Sequence, residues 1–187
     1  MSFFVLIIAL FSACNTQNID VTIQAFGAVG DSTTINTASI QQAVDYVNKR
    51  GGGRVTITDG AYVTGPIILR SDVEIHIDAD AVVLGSLNQD DYPDSLNLFK
   101  DSLGQLFGVA LFWGSDVRNV TISGKGTING RGTPEFFNRK NPDHVRPSLI
   151  RIKDSENIVV KDVTLTNAAS WVQHYIDSDS IWIDGIT

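Results

Sequence analysis

The sequence is short of the usual molecular fasteners. It has one cysteine, Cys14, so no internal disulfide can form. It has 5 prolines against 16 glycines, so the chain must turn mostly on glycine and polar residues. His76 has no second ligand at metal-binding spacing, so it is not expected to hold a metal. His76 falls on the outer face of an alternating stretch and reads as a surface residue. Basic residues are the minority, and the formal net charge is -7. That balance excludes nucleic acid as the general partner. Charged residues are only 19% and hydrophobic ones 43%, which excludes a disordered chain and leaves enough apolar material for one domain with a real core.

No apolar run reaches the roughly 20 residues that a bilayer span requires. The run Phe3–Phe11 is shorter and ends in Ser12-Ala13-Cys14. It fits the apolar region of a secretory signal followed by small residues. The stretch Leu10–Cys14 resembles a bacterial lipoprotein signal, which implies lipidation of Cys14 after cleavage. Residues 1–14 are therefore read as a signal peptide, 15–20 as a polar linker and 21–187 as the folded domain. The protein is expected to be exported, either secreted or held at the bacterial cell envelope. Its contact with the membrane would be through that lipid alone.

What the sequence does contain is an echo. A shift of 23 positions brings Leu149 onto Val172, Ile152 onto Tyr175, Ile158 onto Ile181, Val160 onto Ile183 and Val163 onto Ile186. Asn157 falls on Ser180. A period in this range signals a repeat architecture. Each copy holds short alternating runs, such as Ile158–Val160 and Ile181–Ile183, so each is a set of strands with one buried face. Strands this short bury that face only by stacking on the next copy. The pattern predicts an all-β parallel β-helix, with an ordinary β-sandwich as the alternative.

One helix is expected near the start. Ile40, Ala43, Val44 and Val47 form an apolar stripe at helical spacing. Asn36 precedes it as N-cap, Ile35 and Ile40 sit at staple positions, and Gly51-Gly52-Gly53 ends it. A helix here would cap the open end of the first coil. Further strands are read at Val21–Ile23, Val55–Ile57, Ile67–Leu69, Val73–Ile77, Val82–Leu84, Val120–Ile122 and Thr127–Asn129. Two segments break the rhythm, Asn88–Leu106 and Arg131–Arg146, and read as excursions. Regular coils are expected to resume at Val117. From Arg118 to Asp162, nine Lys or Arg stand against five Asp or Glu, a local +4 in an acidic protein. That is either a solvated face or attraction for an anionic ligand.

Several phrases together resemble glycoside hydrolase family 28, the polygalacturonases. They are Phe26–Asp31, Ile40–Ala43, Gly51–Gly53, Gly60–Gly65, Asp91–Pro93, Ile122–Gly132, Arg146-Pro147 and Asn167–Trp171, in order from about Ile19 to Thr187. The resemblance implies a right-handed, single-stranded parallel β-helix with one N-terminal capping α-helix. It also implies secretion and cofactor-free hydrolysis of pectic polysaccharide or oligosaccharide with inversion. Inversion requires an acid and a base roughly 6.5–9.5 Å apart. In the family these come from an Asn-Thr-Asp motif and an Asp-Asp pair on successive coils, followed by Gly-His-Gly and Arg-Ile-Lys.

No residue up to Thr187 matches the carboxylate motifs, so no catalytic residue is assigned and the catalytic coils are expected beyond it. Asp90-Asp91 belongs to the Asp-Tyr-Pro phrase. Arg151-Ile-Lys153 precedes the catalytic coils rather than following them. Asp177, Asp179 and Asp184 read as turn residues. The cleft wall can be carried over. His174 matches the family's Trp-x-x-His position, and the 23-residue register stacks Arg151 beneath it. Both are assigned to substrate binding, because an arginine fork suits a carboxylate. The register also turns Gln173 inward, and Trp171 is read as packing. The chain is thus expected to be the N-terminal part of a pectin-degrading enzyme, inactive alone and of undefined oligomeric state. A non-catalytic glycan-binding or tailspike-like surface protein is the alternative, and a calcium-dependent lyase ranks last because no acidic calcium cluster is evident.

Overall fold

The computed structural model describes residues 19–96, 99–100, 106–138, 140 and 144–187. The Phe3–Phe11 run, Cys14 and most of the linker lie outside the described residues. The first strand, β1 (Ile19–Thr22), begins earlier than the linker boundary at Asp20 implies, and a 3-10 turn at Ile23–Phe26 takes the place of its expected end. β2 (Asp31–Ile35) and α1 (Thr37–Asn48) follow. The coils then run through β3 (Gly53–Ile57), β4 (Gly60–Thr64), β5 (Ile67–Ile68), β6 (Val73–Ile77) and β7 (Ala81–Gly85). The first excursion contains two 3-10 turns and an antiparallel pair, β8 (Phe99–Lys100) with β9 (Leu106–Phe107). Coils resume at β10 (Ala110–Ser115), seven residues before the expected Val117. The run Ala110–Trp113 lacks alternation because both of its faces are covered, so its period hides it. β11 (Arg118–Gly124), β12 (Thr127–Asn129), β13 (Ser148–Lys153), β14 (Glu156–Lys161), β15 (Thr164–Thr166), β16 (Gln173–Ile176) and β17 (Asp179–Asp184) complete the chain.

These strands form three parallel sheets, ordered β1-β3-β6-β11-β14-β17, β2-β4-β7-β12-β15 and β5-β10-β13-β16. Each coil visits the first, second and third sheet in turn, which is a parallel β-helix. The 23-residue echo is the register itself: Ile152 pairs with Tyr175, Ile158 with Ile181 and Val160 with Ile183. One core column runs Val55, Ile75, Ile122, Val160, Ile183 through five coils. The first four are buried and Ile183, on the last strand, is 44% exposed. A fully buried aliphatic side chain of this size is worth about 1.5–3 kcal/mol relative to water. Gln173 is half-buried, and the Tyr175 hydroxyl donates to its Oε1 at 2.6 Å, which meets the polar demand of an inward position.

α1 stands where the first coil would place a third-sheet strand. Its stripe of Ile40, Ala43, Val44 and Val47 is fully buried. It also covers the edge of β5. Gln41 Nε2 donates to the Ile68 carbonyl at 3.0 Å while Oε1 accepts from the Ile68 N–H at 2.7 Å. The side-chain amide thus replaces a neighbouring strand. Asn36 occupies the N-cap position but does not cap through its side chain. It is buried, and its amide accepts from Val29 N–H and donates to the Val29 and Thr34 carbonyls, so it ties down the loop before the helix. Ile35 is 50% exposed, so the expected staple is not made.

The turns are held by side-chain ladders. Asn119 donates to Asp72 Oδ1 at 2.7 Å, and Asn157 donates to Asn119 Oδ1 at 2.7 Å. All three residues, and Ser180 above them, have left-handed φ. Asn and Asp tolerate that conformation best among non-glycine residues, which is the physical content of the Asn157–Ser180 echo.

Candidate functional site

Both excursions leave the coil at the same corner, between the second and third sheets. Gly65-Pro66 turns there tightly, residues 86–109 and 130–147 expand there in the next two coils, and residues 167–172 turn there again. Beside this corner the third sheet carries a register column of Ile68, Trp113, Arg151 and His174.

The first excursion is anchored by Tyr92. Its ring is buried, its hydroxyl donates to the Ser86 carbonyl at 2.7 Å, and burial pushes its pKa well above the ordinary tyrosine range. Ser86 Oγ donates to the Asp91 carboxylate. The Asp-Tyr-Pro phrase is therefore a structural anchor. Tyr92 meets Phe137 of the second excursion edge to face, with centroids 6.2 Å apart. Arg131, in a left-handed turn, donates from Nε to the Gly85 carbonyl at 2.6 Å and spans the two coils.

Arg151 stacks beneath His174, as the register requires. It is not an exposed charge on a cleft wall, because only 1% of it is accessible. β13 lies between β10 and β16, so Trp113 and His174 flank Arg151 on either side. The guanidinium Nη2 lies 2.8 Å from His174 Nδ1. Arginine has only donors, so Nδ1 accepts and the neutral imidazole carries its proton on Nε2. Burial, and secondarily the Arg151 charge, hold the His174 pKa below its usual value. Burial lowers Arg151 to about 10, which leaves it a cation at neutral pH. Arg151 therefore sets the tautomer and orientation of His174, and His174, half-buried, is the more accessible of the two. Trp171 does not pack in the core. It is 60% exposed and lies 5.9 Å from the His174 ring at a 35° tilt. Trp113 carries no alternation signal, since it sits in β10, where the buried residues run consecutively.

The carboxylates lie elsewhere. Asp116, Asp154 and Asp177 occupy left-handed turns with φ of 54°, 49° and 45°, and they line an open groove of about 450 Å³ at the corner between the third and first sheets. Asp179 and Asp184 begin and end β17. Asp177 is thus a turn residue, and the other two are strand-end residues. A second groove, on the outer face of the first sheet, holds a polar network. Ser123 donates to Glu74 at 2.6 Å and lies 2.8 Å from His76 Nδ1, and Arg54 pairs with Glu74 at 3.0 Å. Neither groove includes Arg151 or His174. Among the described residues no group of three His, Cys, Asp or Glu could hold a metal ion.

A single chain coiled through three parallel sheets, with two excursions at one corner, defines a parallel β-helix. The family profile of Glycosyl hydrolases family 28 matches residues 54–187, and the chain belongs to that family. It is 31% identical over 188 residues to a probable polygalacturonase of Vitis vinifera, an alignment that covers 95% of this chain and 38% of that protein. The chain thus spans well under half the length of this relative. The crystal structure of a hyperthermoactive exopolygalacturonase from Thermotoga maritima shares the fold with a TM-score of 0.81, at 22% identity, over 91% of this chain and 46% of that one. The pneumococcal surface adhesin PfbA shares it with a TM-score of 0.63, at 24% identity, over 90% of this chain and 40% of that one.

Proposed function

We propose that this chain supplies the N-terminal coils of an exported, polygalacturonase-like glycoside hydrolase. Its second-to-third-sheet corner would hold an anionic pectic chain, and the acid and base would come from further coils of the same β-helix. The observation that carries the reading is the Arg151–His174 column beside a basic excursion on a chain of net charge -7. It is supported by membership of a family of glycosyl hydrolases. The buried guanidinium fixes His174 with a donor on Nε2, and a sugar hydroxyl or carboxylate oxygen is a matching acceptor. Trp171 beside it offers an aromatic face of the kind that packs on the apolar side of a sugar ring. In the same reading Cys14 carries the lipid that tethers the exported protein. Cys14→Ser should then release it from the membrane fraction.

The test is hydrolysis of homogalacturonan and rhamnogalacturonan-type chains by a form of the protein extended past Thr187 by the proposed further coils. New reducing ends without an ultraviolet-absorbing unsaturated product are expected. Binding without new reducing ends would favour a glycan-binding surface protein, and the unsaturated product would mean a lyase. The 187-residue chain alone should release none, since each positioned acid or base contributes about 10²–10⁴-fold.

A further inference from the structure

The polar network on the outer face of the first sheet fixes the tautomer of one imidazole. Ser123 has a single hydroxyl proton, and its Oγ lies 2.6 Å from Glu74 Oε1 and 2.8 Å from His76 Nδ1. A carboxylate has no proton to give, so the serine donates to Glu74 and accepts from the His76 Nδ1–H. Arg54 Nε holds the other Glu74 oxygen at 3.0 Å. The neutral His76 ring therefore carries its lone pair on Nε2, and that nitrogen faces Asp78 Oδ1 at 3.5 Å. Two acceptors confront each other there. The gap exceeds the roughly 2.7–3.2 Å of an N–H···O hydrogen bond. Two ligands on one tetrahedral zinc, each about 2.0–2.2 Å from the ion, lie roughly 3.4 Å apart.

Spacing along the sequence gives His76 no second ligand, but the fold supplies one in Asp78, the first residue after β6. Both side chains are part-exposed and open onto a groove of about 330 Å³, so water can complete a coordination sphere. We propose that His76 Nε2 and Asp78 bind a divalent transition-metal ion of the zinc class, with Ser123 and Glu74 orienting the imidazole. One imidazole with one carboxylate suits zinc, copper or nickel. Calcium takes about six to eight oxygens, and Arg54, Lys125 and Lys161 share the groove wall. A ligand histidine whose other ring N–H is held by a hydrogen-bonded chain is aimed before the ion arrives. The Asp78 carbonyl also accepts from the Ala81 N–H at 2.9 Å, so the ion would tie β6 to the turn that leads into β7. With two protein ligands the site is smaller than the three-residue sets that the described residues lack. It lies on the first sheet and the Arg151–His174 column on the third, so the inference stands independently of the pectic reading.

The experiment titrates zinc chloride into the 187-residue chain by calorimetry, in a Cys14→Ser background that removes the lone thiol. The chain is compared with its His76→Gln, Asp78→Asn and Ser123→Ala variants, and each is melted with zinc and with EDTA. Zinc should bind the parent chain and raise its melting temperature, and excess calcium should not compete. His76→Gln and Asp78→Asn should each lose at least about tenfold in affinity. Ser123→Ala keeps both ligands but frees the ring, and should lose about 10–100-fold. Melting in EDTA shows which variants fold, and the part-exposed, near-isosteric Asp78→Asn carries the test if His76→Gln does not. Absence of zinc binding overturns the proposal. Unchanged affinity in both ligand variants places the ion elsewhere and also overturns it. A loss in His76→Gln alone reduces the site to a single histidine, and equal competition by calcium removes the zinc class. Either result overturns the proposal as well.

Discussion

Arg151 and His174 are register partners in adjacent coils, and the guanidinium of one donates to the imidazole Nδ1 of the other at 2.8 Å. The contact has a pH signature. The native pKa of His174 lies below its ordinary value of 6.5. Between the two values the unfolded chain binds a proton that the native chain refuses, so stability falls as pH drops below about 6.5 and is unaffected by this group at higher pH. Denaturant melts at pH 7.5 and pH 5.5 should show wild type losing more stability than His174→Gln. Equal losses would mean that the imidazole is not held neutral. Under the proposed function, Arg151→Ala in a form extended past Thr187 should weaken binding of an acidic substrate more than it slows turnover, because it removes the group that orients His174.

The Gln41 amide closes the edge of β5 by accepting from and donating to Ile68. Gln41→Leu keeps the bulk and leaves both backbone groups without this partner. An unsatisfied, part-buried backbone group costs about 1–3 kcal/mol. Urea unfolding should place Gln41→Leu in that range below wild type, and the exposed Gln42→Leu within about 0.5 kcal/mol of it. Matching midpoints for the two variants would show that the edge is satisfied in some other way.

How much of this was legible in the sequence follows from what each residue does. Core residues such as Val160 and Ile183 meet only their counterparts in the next coil, so a fixed period exposes both the fold and the register. Arg151 above Trp113 and below His174 obeys the same rule. Its burial was not legible, because the alternation of one strand shows which face a side chain takes and not that Trp113 and His174 flank it there. Asn36 shows the same limit: cap position was readable, but the cross-link to Val29 was not.

Gly124 ends β11 with φ +105°, and a Cβ there would meet the Ile77 carbonyl oxygen of the coil below at 2.0 Å. Gly51 has a similar φ of +94° but open space around it. Both alanine variants pay the left-handed penalty of roughly 1–2 kcal/mol. Gly124→Ala must also push two coils apart, so it should lose at least about 2 kcal/mol more than Gly51→Ala. Thermal melts of the pair decide this, and equal losses would place the cost in backbone conformation alone.

The last strands leave apolar side chains in solvent: Trp182 is 64% exposed, Ile183 and Val172 44%, and Ile186 36%. β17 and β16 are edges of their sheets, and Ile183 continues the core column below it. An unpaired edge of this length that also exposes core-type side chains is a template for another strand. The 187-residue chain should therefore associate with a strong dependence on concentration in sedimentation velocity. Ile183→Lys puts a charge at the end of the column, where a second copy would have to bury it unpaired. It should shift the chain toward monomer while Val29→Lys, at the opposite end of the coil and 47% exposed, should not. A wild-type chain that stays monomeric up to high micromolar concentration would show that this edge does not pair.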